Sequence, residues 1–180
     1  MMELNHRFSI EEMKKALFDT IKANGNDEDL TVRQTLFADG VGSWASSEPI
    51  EMFVSPLPRK DISKEYSKQA LNCCISSWRR ISEQSLSPRI KCGANYINSR
   101  MGQREALRNG YDTCLFMNEE GKIAEGPGSC LFIVSNGEII TTECTDSVLD
   151  SITKDTVIQI AKDAGYTVKE RHIDRTELYI

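Results

Sequence analysis

The sequence predicts a mixed α+β protein in which antiparallel-rich sheets carry flanking helices. Two observations lead to this prediction. Ser9-Ile10-Glu11-Glu12 is a capping box, and apolar residues follow it at helical spacing. Further along the chain, β-prone runs recur between turn residues, and Asn136-Gly137 separates two of these runs as in a tight β-hairpin. At 180 residues the chain is long enough to bury a substantial core.

Periodicity and turn residues place the individual elements. Helices are predicted at residues 10–21, 95–109 and 154–164, with a weaker charged helix at 60–70 and a short one at 174–179. Strands are predicted at residues 30–38, 50–54, 73–78, 112–117, 122–124, 130–134, 139–142 and 166–173. Pro56 and Pro58 are expected to close the second strand. Residues 112–142 are interpreted as a meander of antiparallel strands with Glu125 at one corner.

Composition excludes several classes of protein. Hydrophobic residues at 39% and charged residues at 27% are ordinary for a globular protein. A net charge of -5 without a long basic run argues against a nucleic-acid partner. No segment approaches the roughly 20 apolar residues of a membrane span, and the N-terminus has no apolar leader. We therefore expect no membrane partner and a cytoplasmic location.

The cysteines and histidines do not indicate a metal site. None of the six cysteines forms a Cys-x-x-Cys pair, and only His6 and His172 could join them as ligands. Four of the cysteines lie beside apolar residues in predicted strands. We expect all six to be reduced thiols of a reducing compartment and expect no metal.

Three features together suggest a pyridoxal phosphate site. Lys91 lies between an apolar residue and a small, glycine-bearing stretch, and is predicted to be a poorly solvated amine. Glu125 stands on the turn Gly126-Pro127-Gly128, which fixes its direction. The helix start near Ser151 and Thr153 is an anion site, although these hydroxyls also suit a simple helix cap. An amine, an aimed carboxylate and a phosphate site are what this cofactor requires.

The same residues carry a resemblance to the class IV, or fold-type IV, aminotransferases, and within them to the branched-chain amino acid aminotransferases. Residues 91–96 resemble the family's Lys-x-Gly-Gly-Asn-Tyr, with Ala94 for the second glycine. Residues 124–132 resemble Glu-Gly-x-Gly-x-Asn-x-Phe, with Cys130 where asparagine is usual. Residues 149–155 resemble Leu-Pro-Gly-Ile-Thr-Arg-Asp, and residues 77–80 and 174–179 match as well. The motifs occur in the family's order, and the resemblance runs from about residue 8 to the end.

The resemblance implies a role for each candidate residue. Lys91 would be the catalytic Schiff-base lysine, Glu125 the partner of the pyridine nitrogen and Tyr96 a donor to the phenolic oxygen. The phosphate would be held by Ser151, Ile152 and Thr153. Arg33, Gly128 and Ser129 would bind substrate, although Arg33 by pattern alone is typical of a solvated strand edge. Thr31 stands where a pocket tyrosine is common.

The resemblance also implies the organisation of the chain. Length alone favours one domain, but the polar stretch at 81–88 is the best candidate for a linker. Residues 1–80 would then be part of an N-terminal α/β domain, and residues 89–180 part of a C-terminal cofactor-binding domain. Members of the family are longer at both ends, so the sequence is expected to represent the middle of a full enzyme.

The implied activity is transfer of an amino group from a branched-chain amino acid to 2-oxoglutarate in a homodimer. A D-amino-acid aminotransferase and an aminodeoxychorismate lyase are sister activities of the same scaffold. A truncated, catalytically inactive chain is a third possibility, because the family's N-terminal phosphate-binding arginine and C-terminal carboxylate site are not in the sequence.

Overall fold

The structure, a computed structural model, describes residues 2–25, 29–40, 42, 45–58 and 70–179. The chain divides into two compact units, Met1–Gln69 and Ala70–Ile180. Residues 70–80 thus belong to the second unit, whereas the sequence analysis assigned them to the first part of the chain. The predicted charged helix at 60–70 lies, except for its last residue, outside the described residues.

The first unit contains a helix and an antiparallel strand pair among its described residues. Helix α1 (Ile10–Ala23) begins with the predicted capping box. The Glu12 amide donates to Ser9 Oγ at 3.2 Å, and the Ser9 amide donates to Glu12 Oε2 at 2.8 Å. Strand β1 (Leu30–Ala38) pairs with β2 (Ile50–Pro58) along the whole length of both strands.

Strand β2 is longer than the sequence predicted. Pro56 pairs with Val32, so it does not close the strand and that part of the prediction is wrong, whereas Pro58 is the last residue of β2, as predicted. In the described residues β1 and β2 form a two-stranded sheet. Proline is tolerated in such an edge strand because an outward-facing position needs no amide donor.

The first half of the second unit is a strand-helix-strand crossover. Strand β3 (Cys73–Arg79) pairs in parallel with β4 (Thr113–Met117), and helix α2 (Asn95–Arg108) connects them and packs on both. Parallel strands require such a long connection, because a tight turn reverses the chain direction. Residues 81–88, the predicted linker, contain turns but no helix or strand and lie within the second unit.

The second half is a three-stranded sheet in the order β5 (Phe132–Ser135), β6 (Glu138–Thr141) and β7 (Val168–Glu170). The β5-β6 hairpin turns at Asn136-Gly137, whose φ angles of 51° and 78° are both positive, as a type I′ turn requires. Helix α3 (Ile152–Asp163) then leads to β7, which pairs in parallel with β6.

Several element boundaries differ from the predictions. The antiparallel meander is confirmed at the β5-β6 hairpin and at an isolated bridge between Met117 and Ile123, but in the predicted strand 122–124 only Lys122 and Ile123 form bridges, and no strand is present there. The strand predicted at 166–173 is reduced to β7. The short C-terminal helix is a 3₁₀ turn, Arg175–Leu178. Neither parallel pairing was anticipated.

Strand β4 separates two groups of core residues, because successive side chains of a strand point to opposite faces. Cys114 and Phe116 pack in one cluster with residues of α2 and the 124 and 148 regions, and Met117 packs in the other with Ile123, Ile140 and Ile173. Gly102 lets α2 approach β4 closely, since a Cβ there would lie 2.3 Å from Phe116 Cζ. Within the described residues, no helix combines the length and apolar character needed to cross a membrane.

Candidate active site

A cavity of about 100 Å³ lies in the second unit, where the segments before α2, after β4 and before α3 meet. It is lined by Arg80, Pro88, Ile90, Lys91, Asn95, Tyr96, Glu125, Pro127, Gly128, Ser129, Cys130, Leu149, Ser151 and Thr153. The volume is below the roughly 300–1,000 Å³ of enclosed small-molecule pockets. The cavity is open where Lys91 and Tyr96 are exposed, so these residues form the rim of a cleft.

Glu125 is fixed by the backbone on both sides of it. The Phe116 amide donates to the Glu125 carbonyl oxygen at 2.9 Å, which ties the turn to β4. The Gly126 amide donates to the Ser129 carbonyl oxygen at 2.8 Å and closes the glycine-rich turn. A Cβ at Gly126 would lie 2.4 Å from Ser129 Oγ and 3.4 Å from the Ser129 carbonyl oxygen, so a larger residue there would require the Ser129 side chain to move. The sequence therefore correctly predicted an aimed carboxylate.

The Glu125 carboxylate forms a buried ion pair with Arg80. Arg80 and Glu125 are each 6% exposed. Arg80 Nε donates to Glu125 Oε1 at 2.9 Å, and Nη2 lies 2.7 Å from the same oxygen. Glu125 Oε2 accepts from the Leu149 amide at a longer 3.3 Å. The first oxygen is thus held by two guanidinium nitrogens and the second by one weak backbone bond.

Opposing influences act on the protonation of Glu125. Burial raises the pKa of the carboxyl above its ordinary value, because a charge is poorly solvated in the protein interior. Arg80, the Leu149 amide and the charge of Lys91 all lower that pKa. The ionised form of Glu125 therefore depends on its cationic neighbour.

Lys91 contacts Tyr96 at the cavity, but it is not buried. Lys91 Nζ donates to Tyr96 Oη at 3.3 Å and lies 5.8 Å from the centre of the tyrosine ring. Both side chains are exposed. The prediction of a poorly solvated amine is wrong for this structure, because the glycine-bearing stretch after Lys91 forms a turn at the open rim and leaves the amine in contact with water.

Asn95 holds the main chain that leads into Lys91. This residue is 2% exposed, and its Nδ2 donates to the carbonyl oxygens of Ile90 at 2.7 Å and Ser87 at 3.0 Å. Both bonds reach back from the first turn of α2 to the segment before it. Lys91 therefore stands between two fixed points, the Ile90 carbonyl and the start of the helix.

The beginning of α3 supplies the anion-binding features. Ser151 is the N-cap and its Oγ accepts from the Lys154 amide at 3.3 Å. Ser151 and Thr153 line the cavity, whereas the Ile152 side chain is 85% exposed and does not. The amides of this first turn have no acceptor within the helix. Any role of Ile152 at the cavity thus falls to its backbone amide.

The remaining predicted site residues fall into two groups. Gly128 and Ser129 line the cavity. Arg33 belongs to the first unit, where it is exposed on the same face of β1 as Thr31. Its assignment to a substrate pocket stays a prediction.

Three cavity residues that carry a nitrogen, oxygen or sulfur atom in the side chain were not among the predicted site residues: Arg80, Asn95 and Cys130. Each lies within a motif that carried the family resemblance, which was the available signal. Burial raises the pKa of the Cys130 thiol, so this cysteine is a weak nucleophile. All six cysteines are free. No cluster of possible metal ligands occurs within the part of the chain that the structure describes.

Comparison with known proteins identifies the family. A family model described as amino-transferase class IV matches residues 1–179. The chain belongs to the class IV aminotransferases. The resemblance seen in the motifs and the predicted fold class are both confirmed.

Relatives of this class IV aminotransferase are named for branched-chain substrates. It is 32% identical over 179 residues to a probable branched-chain-amino-acid aminotransferase of Synechocystis sp., over 98% of this chain and 58% of the relative. The branched-chain amino acid aminotransferase of Thermobaculum terrenum in its PLP form is 42% identical, with a TM-score of 0.90 over 98% of this chain and 58% of that one. The enzyme of Thermoproteus uzoniensis with norvaline is 33% identical, with a TM-score of 0.88 over 98% and 59%. The chain thus spans less than two thirds of each relative.

Proposed function

We propose that the protein is a pyridoxal-phosphate-dependent aminotransferase that transfers the amino group of a branched-chain amino acid to 2-oxoglutarate. One observation carries the proposal: Lys91, Glu125 and the start of α3 line a single cavity. The names of its relatives support the branched-chain substrate class. We further propose that the protein assembles as a homodimer.

The residues around the cavity fit the proposed cofactor. Pyridoxal phosphate carries an aldehyde, a ring nitrogen that binds a proton, and a phosphate. Lys91 offers the primary amine for the aldehyde. Glu125 offers a buried carboxylate with one weakly occupied oxygen for the ring nitrogen. The first-turn amides of α3, with the hydroxyls of Ser151 and Thr153, suit the phosphate.

Each residue contributes one element of the reaction. When bound, pyridoxal phosphate supplies an electron sink for the charge that develops at the substrate α-carbon. Glu125 keeps a proton on the ring nitrogen, and Tyr96 Oη holds Lys91 Nζ in place. Lys91 Nζ then moves the proton that leaves the α-carbon, as a positioned general base. The first turn of α3 binds the anionic end and so fixes the distance to the amine.

Covalent labelling tests the cofactor site. The protein is incubated with pyridoxal phosphate, reduced with borohydride and mapped by peptide mass spectrometry. Lys91 should carry the label, and Lys91→Ala should abolish it at that peptide and lower total labelling. Lys169→Ala is the matched control, because Lys169 is also exposed but pairs with Glu138 away from the cavity. Equal total labelling of wild type and Lys91→Ala would reject the assignment.

Substrate comparison tests the activity. Glutamate formation from 2-oxoglutarate is followed with L-leucine and with D-alanine as amino donors, and aminodeoxychorismate is assayed for lyase activity. The proposal predicts turnover with L-leucine. Preference for D-alanine or aminodeoxychorismate would assign one of the sister activities. Labelling of Lys91 without turnover of any of the three would support the inactive chain.

A further inference from the structure

The ion pair between Arg80 and Glu125 is buried, whereas Lys91, which lines the same cavity, is exposed. Arg80 is anchored on three sides: its amide donates to the Met117 carbonyl oxygen at 2.9 Å, its Nη1 donates to Asn98 Oδ1 at 3.3 Å, and its remaining nitrogens meet Glu125 Oε1. Asn98 is in turn fixed, because its Nδ2 donates to the Arg79 carbonyl oxygen at 2.9 Å. The guanidinium therefore has little freedom to leave the carboxylate.

The two carboxylate oxygens of Glu125 have different hydrogen-bond partners. Oε1 accepts from two guanidinium nitrogens, which uses its acceptor capacity. Oε2 accepts, among the described residues, only the 3.3 Å bond from the Leu149 amide. Oε2 is therefore the oxygen that remains available for a donor in the cavity.

The charge of Arg80 also decides where a proton resides. A carboxyl group facing a pyridine nitrogen shares one proton with it, either as carboxylate and pyridinium or as carboxylic acid and neutral pyridine. Burial disfavours the first arrangement, since it separates charge in a poorly solvated place. A cation in direct contact with Oε1 stabilises the carboxylate and so favours the proton on the ring nitrogen.

We propose that Arg80 is a positioning residue that keeps Glu125 ionised and leaves Oε2 free to hold the protonated ring nitrogen of pyridoxal phosphate. This inference rests on the proposed cofactor site and adds a residue to it. Arg80 acts through Glu125. Its effect should therefore be specific to ligands that possess the ring nitrogen.

The experiment compares the affinity for pyridoxal phosphate with that for its 1-deaza analogue, in which a C–H group replaces the ring nitrogen. The wild-type chain should prefer pyridoxal phosphate by about 10- to 100-fold, the value of one charge-assisted hydrogen bond. In Arg80→Met this preference should fall to within about twofold of that in Glu125→Gln. Arg80→Lys keeps the charge and should retain part of the preference.

Arg79→Met is the matched control. It removes the same charge from the preceding residue, whose side chain is exposed, and should leave the preference unchanged. If Arg80→Met kept the wild-type preference for pyridoxal phosphate, the inference about Arg80 would be overturned, and the proposed cofactor site would stand. If the wild type bound neither ligand and Lys91 were not labelled, the proposed cofactor site would fail and the inference with it.

Loss of folding in Arg80→Met is resolved by the double variant Arg80→Met/Glu125→Gln. If the buried, unpaired carboxylate causes the defect, removing its charge should restore the fold. The restored protein should show the low preference of Glu125→Gln, which supports the inference. If the double variant is also unfolded, Arg80 serves the fold rather than Glu125, and the inference is overturned.

Discussion

Lys91 Nζ lies 3.3 Å from Tyr96 Oη, five residues further along the chain. The two side chains meet because a turn after Lys91 leads directly into α2, whose first turn contains Tyr96. Both are exposed, so their contact contributes little to stability. Its proposed importance is the orientation of the amine.

Tyr96→Phe should separate these two effects. The free energy of unfolding should change by less than about 0.5 kcal/mol, as for other exposed positions. Labelling of Lys91 by pyridoxal phosphate and borohydride should slow by about fivefold, the value of one hydrogen bond. Tyr166→Phe, at another exposed tyrosine in the second unit, should change neither quantity. Unaltered labelling in Tyr96→Phe would show that the hydroxyl does not orient the amine.

Buried Lys154 makes two contacts, and substitutions can show which of them stabilises the fold. Its Nζ donates to the Thr142 carbonyl oxygen at 2.7 Å and lies 2.7 Å from Glu170 Oε2. The Glu170 side chain is 48% exposed and is solvated without its partner, whereas Thr142 is buried. Lys154→Met should therefore destabilise the second unit by about 1–3 kcal/mol through the orphaned carbonyl. Glu170→Gln should cost less than about 1 kcal/mol.

Denaturant unfolding of both variants measures the difference. If Glu170→Gln were as destabilising as Lys154→Met, the ion pair rather than the carbonyl contact would be responsible.

His172 should make stability depend on pH. Its Nδ1 lies 2.8 Å from Oδ1 of the fully buried Asp146. The hydrogen bond to Asp146, and then its charge, raise the pKa of His172, and Glu143 acts in the same direction. The folded state therefore holds the proton more tightly than the unfolded chain. The resulting stabilisation is complete below the unfolded pKa of about 6.5 and is lost as pH rises through the folded value.

His172→Gln should consequently lower Tm more in acid than at alkaline pH. The other histidine provides the control, since His6 is an exposed residue of the first unit. His6→Gln should not lower Tm more in acid than at alkaline pH. A larger effect of His172→Gln at alkaline pH would reverse the assigned sign.

Gly102 should resist substitution because α2 packs tightly on β4. A Cβ at this position would lie 2.3 Å from Phe116 Cζ and 3.1 Å from Cys114 Sγ, and both side chains are fully buried. Gly102→Ala should destabilise the protein by about 1–3 kcal/mol through overpacking. The overpacking cost should be larger than the stabilisation of roughly 1 kcal/mol that alanine provides over glycine within a helix, so the net effect should be destabilising.

At Gly93 a Cβ would meet nothing within 4 Å, so Gly93→Ala is the control and should be nearly neutral in denaturant unfolding. Equal stability of the two variants would mean that α2 and β4 separate at little cost.

Local signals in the sequence were reliable where the structure they encode is local. The capping box at Ser9 and the hairpin at Asn136-Gly137 each depend on a few adjacent residues, and both were predicted. The aimed Glu125 was predicted for the same reason, because neighbouring glycines and a proline fix its turn.

Features that depend on tertiary contacts were not predictable in this way. Pro56 remains in a strand because β2, in the part of the chain that the structure describes, pairs on one side only, which its own sequence does not reveal. Arg80 and Glu125 are 45 residues apart and meet because β3 and β4 pair in parallel. The exposure of Lys91 likewise depends on which segments cover it rather than on its apolar neighbour.

A crystal structure of the 180-residue chain with bound pyridoxal phosphate would test the central claim most directly. The account predicts a covalent link to Lys91 Nζ, the ring nitrogen within about 3.2 Å of Glu125 Oε2, and the phosphate at the first turn of α3. A cofactor linked to another lysine, or a ring nitrogen that faces away from Glu125, would contradict it.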